Sequence, residues 1–164
     1  MSGWVGSASI KWLGRIVVST EKLWTRNNTT SYVLIGDRYE PEGEAEGIPV
    51  TAQVIKSALA LPWPAQLSAG THLIHGFAHS PDGPISRVEW SADSGATWTD
   101  AKLPVEQTDL SWARFEIVWE AEPGESTIMT RATDVAGNSQ PDQVPFNEKG
   151  YLFNQPVPHP IRVT

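Results

Sequence analysis

Arg87-Val88-Glu89-Trp90-Ser91-Ala92-Asp93-Ser94-Gly95-Ala96-Thr97-Trp98 alternates apolar and polar side chains as far as Ala92 and then breaks. A period of two places Val88, Trp90 and Ala92 on one face and Arg87, Glu89 and Ser91 on the other, as in a strand with one dry and one wet side. Asp93 can bond the backbone two residues on and Gly95 tolerates positive φ, so Asp93-Ser94-Gly95 predicts a short hairpin loop, a type I turn closed by a glycine bulge. Trp98 then falls on the return strand, and the hairpin as a whole runs from Ile85 to Leu103. A tryptophan offers on the order of 200 Å² for burial, so Trp90 or Trp98 is the expected nucleus of a core.

Other segments with the same rhythm lie on both sides. Val50, Ala52 and Val54 open it after Ile48, and Leu61-Pro62-Trp63-Pro64 suits an edge or a corner because proline cannot donate to a ladder. His72, Ile74, Gly76 and Ala78 share one face of the next strand, while Leu73, His75, Phe77 and His79 share the other, which is apolar for an outer surface. Ala113, Phe115, Ile117 and Trp119 alternate with Arg114, Glu116 and Val118. Ile128, Thr130 and Ala132 follow, and Asp134-Val135-Ala136-Gly137-Asn138 reads as a turn. About seven strands at this spacing predict an all-β, two-layer antiparallel sandwich from Ile48 to Thr164, with Phe115 and Ile117 facing its core.

Composition agrees with that class. The 164 residues include 13 Gly, 13 Pro and 8 Trp, which favours turns and strands over long helices. A net charge of −7 argues against nucleic acid as a partner, since phosphate recognition needs basic patches. There is no cysteine, hence no disulfide and no thiolate to bind a metal or attack a substrate. No apolar run approaches the roughly 20 residues that span a bilayer, and the first ten residues lack a basic start with a long apolar stretch. A soluble chain without a membrane partner is expected, with periplasm and cytoplasm both open.

His72, His75 and His79 invite a metal reading, but only His75 and His79 share a face, and four strand residues separate them by roughly 13 Å, too far for one ion. Surface or interface histidines are the better expectation. Before the sandwich, Ile16-Val17-Val18 reads as a strand, and the apolar start around Trp4 and Trp12 as the edge of a missing partner surface. Glu40, Glu42, Glu44 and Glu46 among Pro41, Gly43 and Gly47 form a linker or surface loop.

Gly3-Trp4-Val5-Gly6, followed by Ser9-Ile10-Lys11-Trp12-Leu13-Gly14-Arg15, resembles the end of the molybdopterin-binding domain of the sulfite oxidase family. There a segment of the form His-Val-Lys, followed by Trp-Leu, touches the pterin. The resemblance implies cofactor contacts at Ser9, Ile10 and Lys11, with Ser9 departing from the common His. Lys11 is a point cation suited to an anionic phosphate or dithiolene. Ser91 to Trp98, Ala132 to Pro141 and the ending Phe146 to Asn154 before Arg162-Val163 resemble the immunoglobulin-like dimerisation domain of the same family. Two blocks in the right order cover nearly the whole chain. They divide it into a molybdopterin-domain remnant with an acidic linker at residues 1–47 and an immunoglobulin-like domain of the E-set type at 48–164.

The resemblance further implies a homodimer, an upstream molybdopterin-binding domain, and a cytochrome as electron acceptor of the complete enzyme. Molybdenum is held in that family partly through a cysteine sulfur. With none here, the catalytic half is expected on an upstream segment or another chain, and the chain alone is expected to bind no molybdenum, use no catalytic residue and be inactive. Lys149 stands where animal members carry an arginine that reaches the anionic substrate, and is the implied substrate-binding residue. Two alternatives stay open: a free-standing immunoglobulin-like adhesion or carbohydrate-binding module, and the same domain of a nitrate reductase-like parent.

Overall fold

A computed structural model describes residues 2–108 and 110–164. The chain divides into two compact units, one of residues 1–53 with 144–153 and the other of residues 54–143 with 154–164.

The first unit has little regular structure. Val5 N–H donates to the Thr51 carbonyl at 3.0 Å and Gln53 N–H to the Gly3 carbonyl at 2.8 Å, which ties its start to its end. A single helical turn, Asn27–Ser31, is fixed by the Asn28 side chain, which accepts from Thr25 N–H at 2.7 Å and donates to the Leu23 carbonyl at 2.8 Å. Strand β1 (Val33–Leu34) then pairs antiparallel with β2 (Ile48–Pro49). The glutamate-rich stretch between them is a tied surface loop, with Ala45 N–H on the Glu42 carbonyl and Glu46 N–H on the Thr29 carbonyl, both at 2.9 Å. Ile16-Val17-Val18, expected as a strand, forms none and stands exposed. Apolar β-branched residues favour a ladder only where another strand supplies the bonding groups, and among the described residues no segment of this unit pairs with them.

The second unit is the sandwich. Its strands are β3 (Lys56–Leu59), β4 (Ala65–Leu67), β5 (Gly70–His79), β6 (Ile85–Ser91), β7 (Thr99–Asp100), β8 (Ala113–Ala121), β9 (Gly124–Asp134) and β10 (His159–Val163). One sheet runs β4-β10-β9-β6-β7 and the other β3-β5-β8. All pairings are antiparallel except β4 with β10, where Ala65, Gln66 and Leu67 lie parallel to Ile161, Arg162 and Val163.

Phe115, Ile117 and Trp119 of β8, Ile74 and Ala78 of β5, Val88 of β6, Ile128 and Ala132 of β9, and Ile161 and Val163 of β10 form the buried core. Gly76 is the residue that admits Phe115: a Cβ there would stand 2.0 Å from the Phe115 Cζ and 2.6 Å from the Ala58 carbonyl oxygen. The two layers are also joined by polar groups. Ser57 of β3 meets the Thr130 hydroxyl of β9 at 2.8 Å and donates to Gln140 Oε1 at 2.6 Å. Gln140 also accepts from Ala132 N–H at 3.0 Å and donates to the Asn154 carbonyl at 2.7 Å, while Asn154 reaches the Ile55 carbonyl at 3.0 Å. Each buried polar atom is thereby satisfied, as a low-dielectric interior demands.

Of the two tryptophans expected at the core, the hairpin supplies one, and its turn departs from the expected form. Trp90 packs against the core, but Trp98 does not: it is half-buried, with the Arg131 guanidinium 4.3 Å from its ring centroid. Arg131 pairs in register with Glu89, so it stands on the face opposite Trp90 and draws the Trp98 ring to the outside of the sheet. At the turn, Ser94 and Gly95 both take positive φ, 59° and 88°, where a type I turn with a bulge needs only the glycine there. Asp93 holds this shape by accepting from Thr97 N–H at 2.9 Å and from the Thr97 hydroxyl at 2.6 Å.

Candidate functional site

In the first unit, Ser9 follows a short turn at Gly6–Ala8, where its N–H donates to the Gly6 carbonyl at 3.0 Å. Ser9, Ile10 and Lys11 are all exposed, and Trp12 beyond them is 98% exposed. The polypeptide thus offers backbone and one lysine cation on an open surface, a donor set that fits an anionic phosphate and offers a metal no thiolate or imidazole. Just before this segment lies an open cavity of about 270 Å³ whose lining includes Trp4, Ser7, Thr25, Asn28, Tyr32 and Thr51. Reasoning from sequence missed these hydroxyl and amide groups, because only the tie between the start of the unit and Thr51 gathers them.

Lys149 sits in the same unit and donates its Nζ to the Thr30 carbonyl on the helical turn. Its loop is set by Asn147, which accepts from Tyr151 N–H and donates to the Tyr151 carbonyl, both at 3.0 Å, with the Tyr151 ring 5.8 Å from that of Tyr32. Gly150 takes φ 67° between them, a conformation that costs a side-chain-bearing residue dearly. The structure anchors Lys149 at the helical turn and Ser9 at its own preceding turn, by separate contacts. Lys149 remains exposed, so its ammonium is a surface cation in reach of an anion rather than a buried one.

In the second unit, the outer face of β3-β5-β8 carries Leu73 (56% exposed), Phe77 (45%) and Val118 (66%). Leu73 lies opposite Val118, His75 opposite Glu116 and Phe77 opposite Arg114. Arg114 Nη2 is 3.0 Å from His75 Nδ1 and 3.3 Å from Glu116 Oε1, so the three form one polar group beside the apolar residues. His72 points to the Ser68 carbonyl at 2.7 Å, and His79 lies buried beneath the Trp112 ring, 5.2 Å between centroids. Burial holds the His79 imidazole below its ordinary pKa. The three histidines therefore have three different surroundings, and among the described residues no three His, Cys, Asp or Glu side chains gather to hold a metal.

Comparison with known proteins gives these places a context. Residues 48–161 match the model of the Mo-co oxidoreductase dimerisation domain family. Sulfite oxidase of Gallus gallus is 31% identical over 166 residues, covering 92% of this chain and 35% of the relative. An inducible NADH nitrate reductase of Glycine max is 24% identical over 184 residues, covering 93% of the chain and 20% of the relative. Among solved structures, the sulfane dehydrogenase SoxCD from Paracoccus pantotrophus superposes with a TM-score of 0.83 at 25% identity, over 96% of this chain and 41% of that one. The chain spans about a third of the length of the sulfite oxidases it matches.

Proposed function

The chain belongs to the Mo-co oxidoreductase dimerisation domain family, and from that premise we propose that it is the C-terminal dimerisation portion of a sulfite oxidase-like molybdenum-cofactor oxidoreductase. It pairs two copies of the enzyme and completes the edge of a cofactor and substrate site built mainly by an upstream molybdopterin-binding domain. The observation that carries this reading is the agreement between the family match over residues 48–161 and the superposition at TM-score 0.83 over 96% of the chain. Higher identity to sulfite oxidases, at 31%, than to the nitrate reductase, at 24%, supports a sulfite oxidase-like parent over a nitrate reductase-like one.

Residues 1–47 are read as the end of the molybdopterin-binding domain and 48–164 as the dimerisation domain. Ser9, Ile10 and Lys11 would hold the pterin's anionic end, chiefly through the Lys11 ammonium and backbone groups. When bound, the molybdenum cofactor supplies the two-electron redox step. Lys149 attracts the anionic substrate as a point charge, giving up the two parallel bonds an arginine would make. A cytochrome as the electron acceptor completes the proposal.

The test uses the isolated chain. Sedimentation equilibrium at tens of micromolar is expected to give a dimer, while elemental analysis finds no stoichiometric molybdenum and assay finds no sulfite oxidation. Molybdenum at one per chain, or turnover without an added domain, would overturn the division of labour. A monomer throughout would overturn the pairing role.

A further inference from the structure

We propose that the second unit carries a binding site for a small aromatic carboxylate, in the cavity that opens beside β3 under the Trp63 ring. The inference goes beyond the dimerisation reading above and stands or falls without it.

β3 ends its sheet and pairs only with β5, so the sandwich has an open side there. The Ser57–Thr130 bond ties the two layers across that side without filling the gap, and a cavity of about 210 Å³ remains. Its lining grades from floor to mouth: Ile128 is fully buried, Leu59 and Leu61 are half-buried, and Val157, Lys56 and Trp63 are exposed. An apolar cavity of about 150 Å³ accepts a benzene ring, so this one admits an aromatic ring and leaves its substituent at the open mouth.

Two features select the ligand. The Trp63 ring is held by the His159 imidazole, 4.6 Å between centroids with the planes at 74°, and His159 is itself fixed by donating its Nε2–H to the Pro62 carbonyl at 2.9 Å. Trp63 is nonetheless 61% exposed, so it offers a pre-positioned aromatic surface that loses little freedom when a second ring packs on it. Charge is the other feature. In a chain of net charge −7, no carboxylate lines this cavity among the described residues, whereas Lys56 does. A ring that packs on Trp63 and turns an anionic group towards Lys56 satisfies both, and a cation would be repelled. A saccharide would need bonding groups that the apolar floor lacks, since the Ser57 and Thr130 hydroxyls are taken up with each other and with Gln140.

The test titrates the 164-residue chain with naphthoate as the probe, by calorimetry and by heteronuclear NMR of its eight tryptophan indoles, with melting curves to confirm that each variant is folded. One site per chain with a Kd of about 0.1–1 mM is expected, with the Trp63 indole among the signals that move. Trp63→Ala is expected to weaken binding at least ~10-fold. Lys56→Met is expected to weaken it about three- to tenfold, and naphthalenemethanol, which keeps the ring and loses the charge, to bind parent and Lys56→Met alike. Both positions are exposed, so neither substitution opens the core. Naphthoate that fails to saturate the chain by about 10 mM overturns the site. So does binding that both variants leave unchanged. Equal affinity of the parent for naphthoate and its alcohol overturns the anion preference, and saturable binding of maltose in place of naphthoate overturns the aromatic one.

Discussion

Arg131 lays its guanidinium 4.3 Å from the centroid of the Trp98 ring while its Nη2 bonds the Glu89 carboxylate at 3.0 Å. Glu89 is buried and also receives Arg87 at 3.0 Å, so the tryptophan acts as a lid over an ion pair on the outside of the sheet. Truncating a half-buried lid removes a cation–π contact and part of a ring's burial, whereas truncating a core aromatic leaves a cavity. Trp98→Ala is therefore expected to cost about 1–2 kcal/mol and Phe115→Ala about 3–5 kcal/mol. Urea midpoints for the two variants side by side check the order. Equal losses would show that Trp98 carries as much of the core as Phe115.

Gln140 accepts from Ser57 and Ala132 and donates to Asn154, all in the interior. Replacing it by alanine leaves the Ala132 N–H and the Asn154 carbonyl without their partner at once, while the Ser57 hydroxyl keeps that of Thr130. Each orphaned buried group costs about 1–3 kcal/mol, so Gln140→Ala is expected to lose roughly 3 kcal/mol or more and Ser57→Ala about 1 kcal/mol. Denaturant unfolding followed by tryptophan fluorescence measures both. A Gln140→Ala loss below that of Ser57→Ala would mean water replaces the amide.

How much of this was legible in the sequence depends on whether the cause was local. The alternation of Ala113, Phe115, Ile117 and Trp119 is reproduced residue for residue in burial, and the apolar outer row of Leu73 and Phe77 is where its phase placed it. Period-two patterns need no knowledge of the partner strand. Trp98 misled because bulk alone marks a ring for burial, and the Arg131 that holds it outside is 33 residues away across a strand pairing. The Ser57–Gln140 bond, 83 residues apart, and the parallel pairing of β4 with β10 are likewise products of the closed sandwich and leave no local trace. At the candidate site, Lys149 was visible as a charge in a family-like ending, but its anchor on the Thr30 carbonyl was not.

Acid sensitivity follows from two aspartates. Burial pushes the Asp134 carboxyl up, but bonds from Ser80, Asn138 and Ala136 together outweigh it and the net displacement is downward. Asp93, bonded by the Ser91 and Thr97 side chains, is held down to about 2. A carboxylate whose folded pKa lies below its unfolded value of about 3.9 contributes stability in full above that value and loses it as pH falls through the folded one. Stability is thus expected to decline between about pH 4 and pH 2, and more shallowly in Asp134→Asn, where that proton no longer distinguishes the two states. His79 acts in the same sense at higher pH: its folded pKa is lowered by burial, so the unfolded chain takes its proton first and stability begins to fall below about 6.5. Urea midpoints from pH 8 to pH 2 map both steps, and a flat profile across either interval contradicts the corresponding assignment.

Lys149 gives the sharpest link between this chain and the substrate proposed for the complete enzyme. Its ammonium is exposed and its single described bond runs to the Thr30 carbonyl, so removing it disturbs little of the fold. An exposed hydrogen bond of this kind is worth about 1 kcal/mol or less, and Lys149→Met is expected to leave the melting of the isolated chain nearly unchanged. In the complete enzyme, a point cation that attracts an anion equally in the ground and transition states lowers KM without altering kcat. Lys149→Met is therefore expected to raise KM for an anionic substrate several-fold while kcat holds, and the effect is expected to shrink as added salt shortens the Debye length to about 8 Å. Lys149→Arg keeps the charge and adds a bidentate fork, so it is expected to restore or lower KM. If KM for Lys149→Met equals that of the parent at low ionic strength, where attraction is least screened, the lysine only ties its own loop to the helical turn. If kcat falls with KM unchanged, Lys149 acts on the transition state, and the point-charge account of its role is wrong.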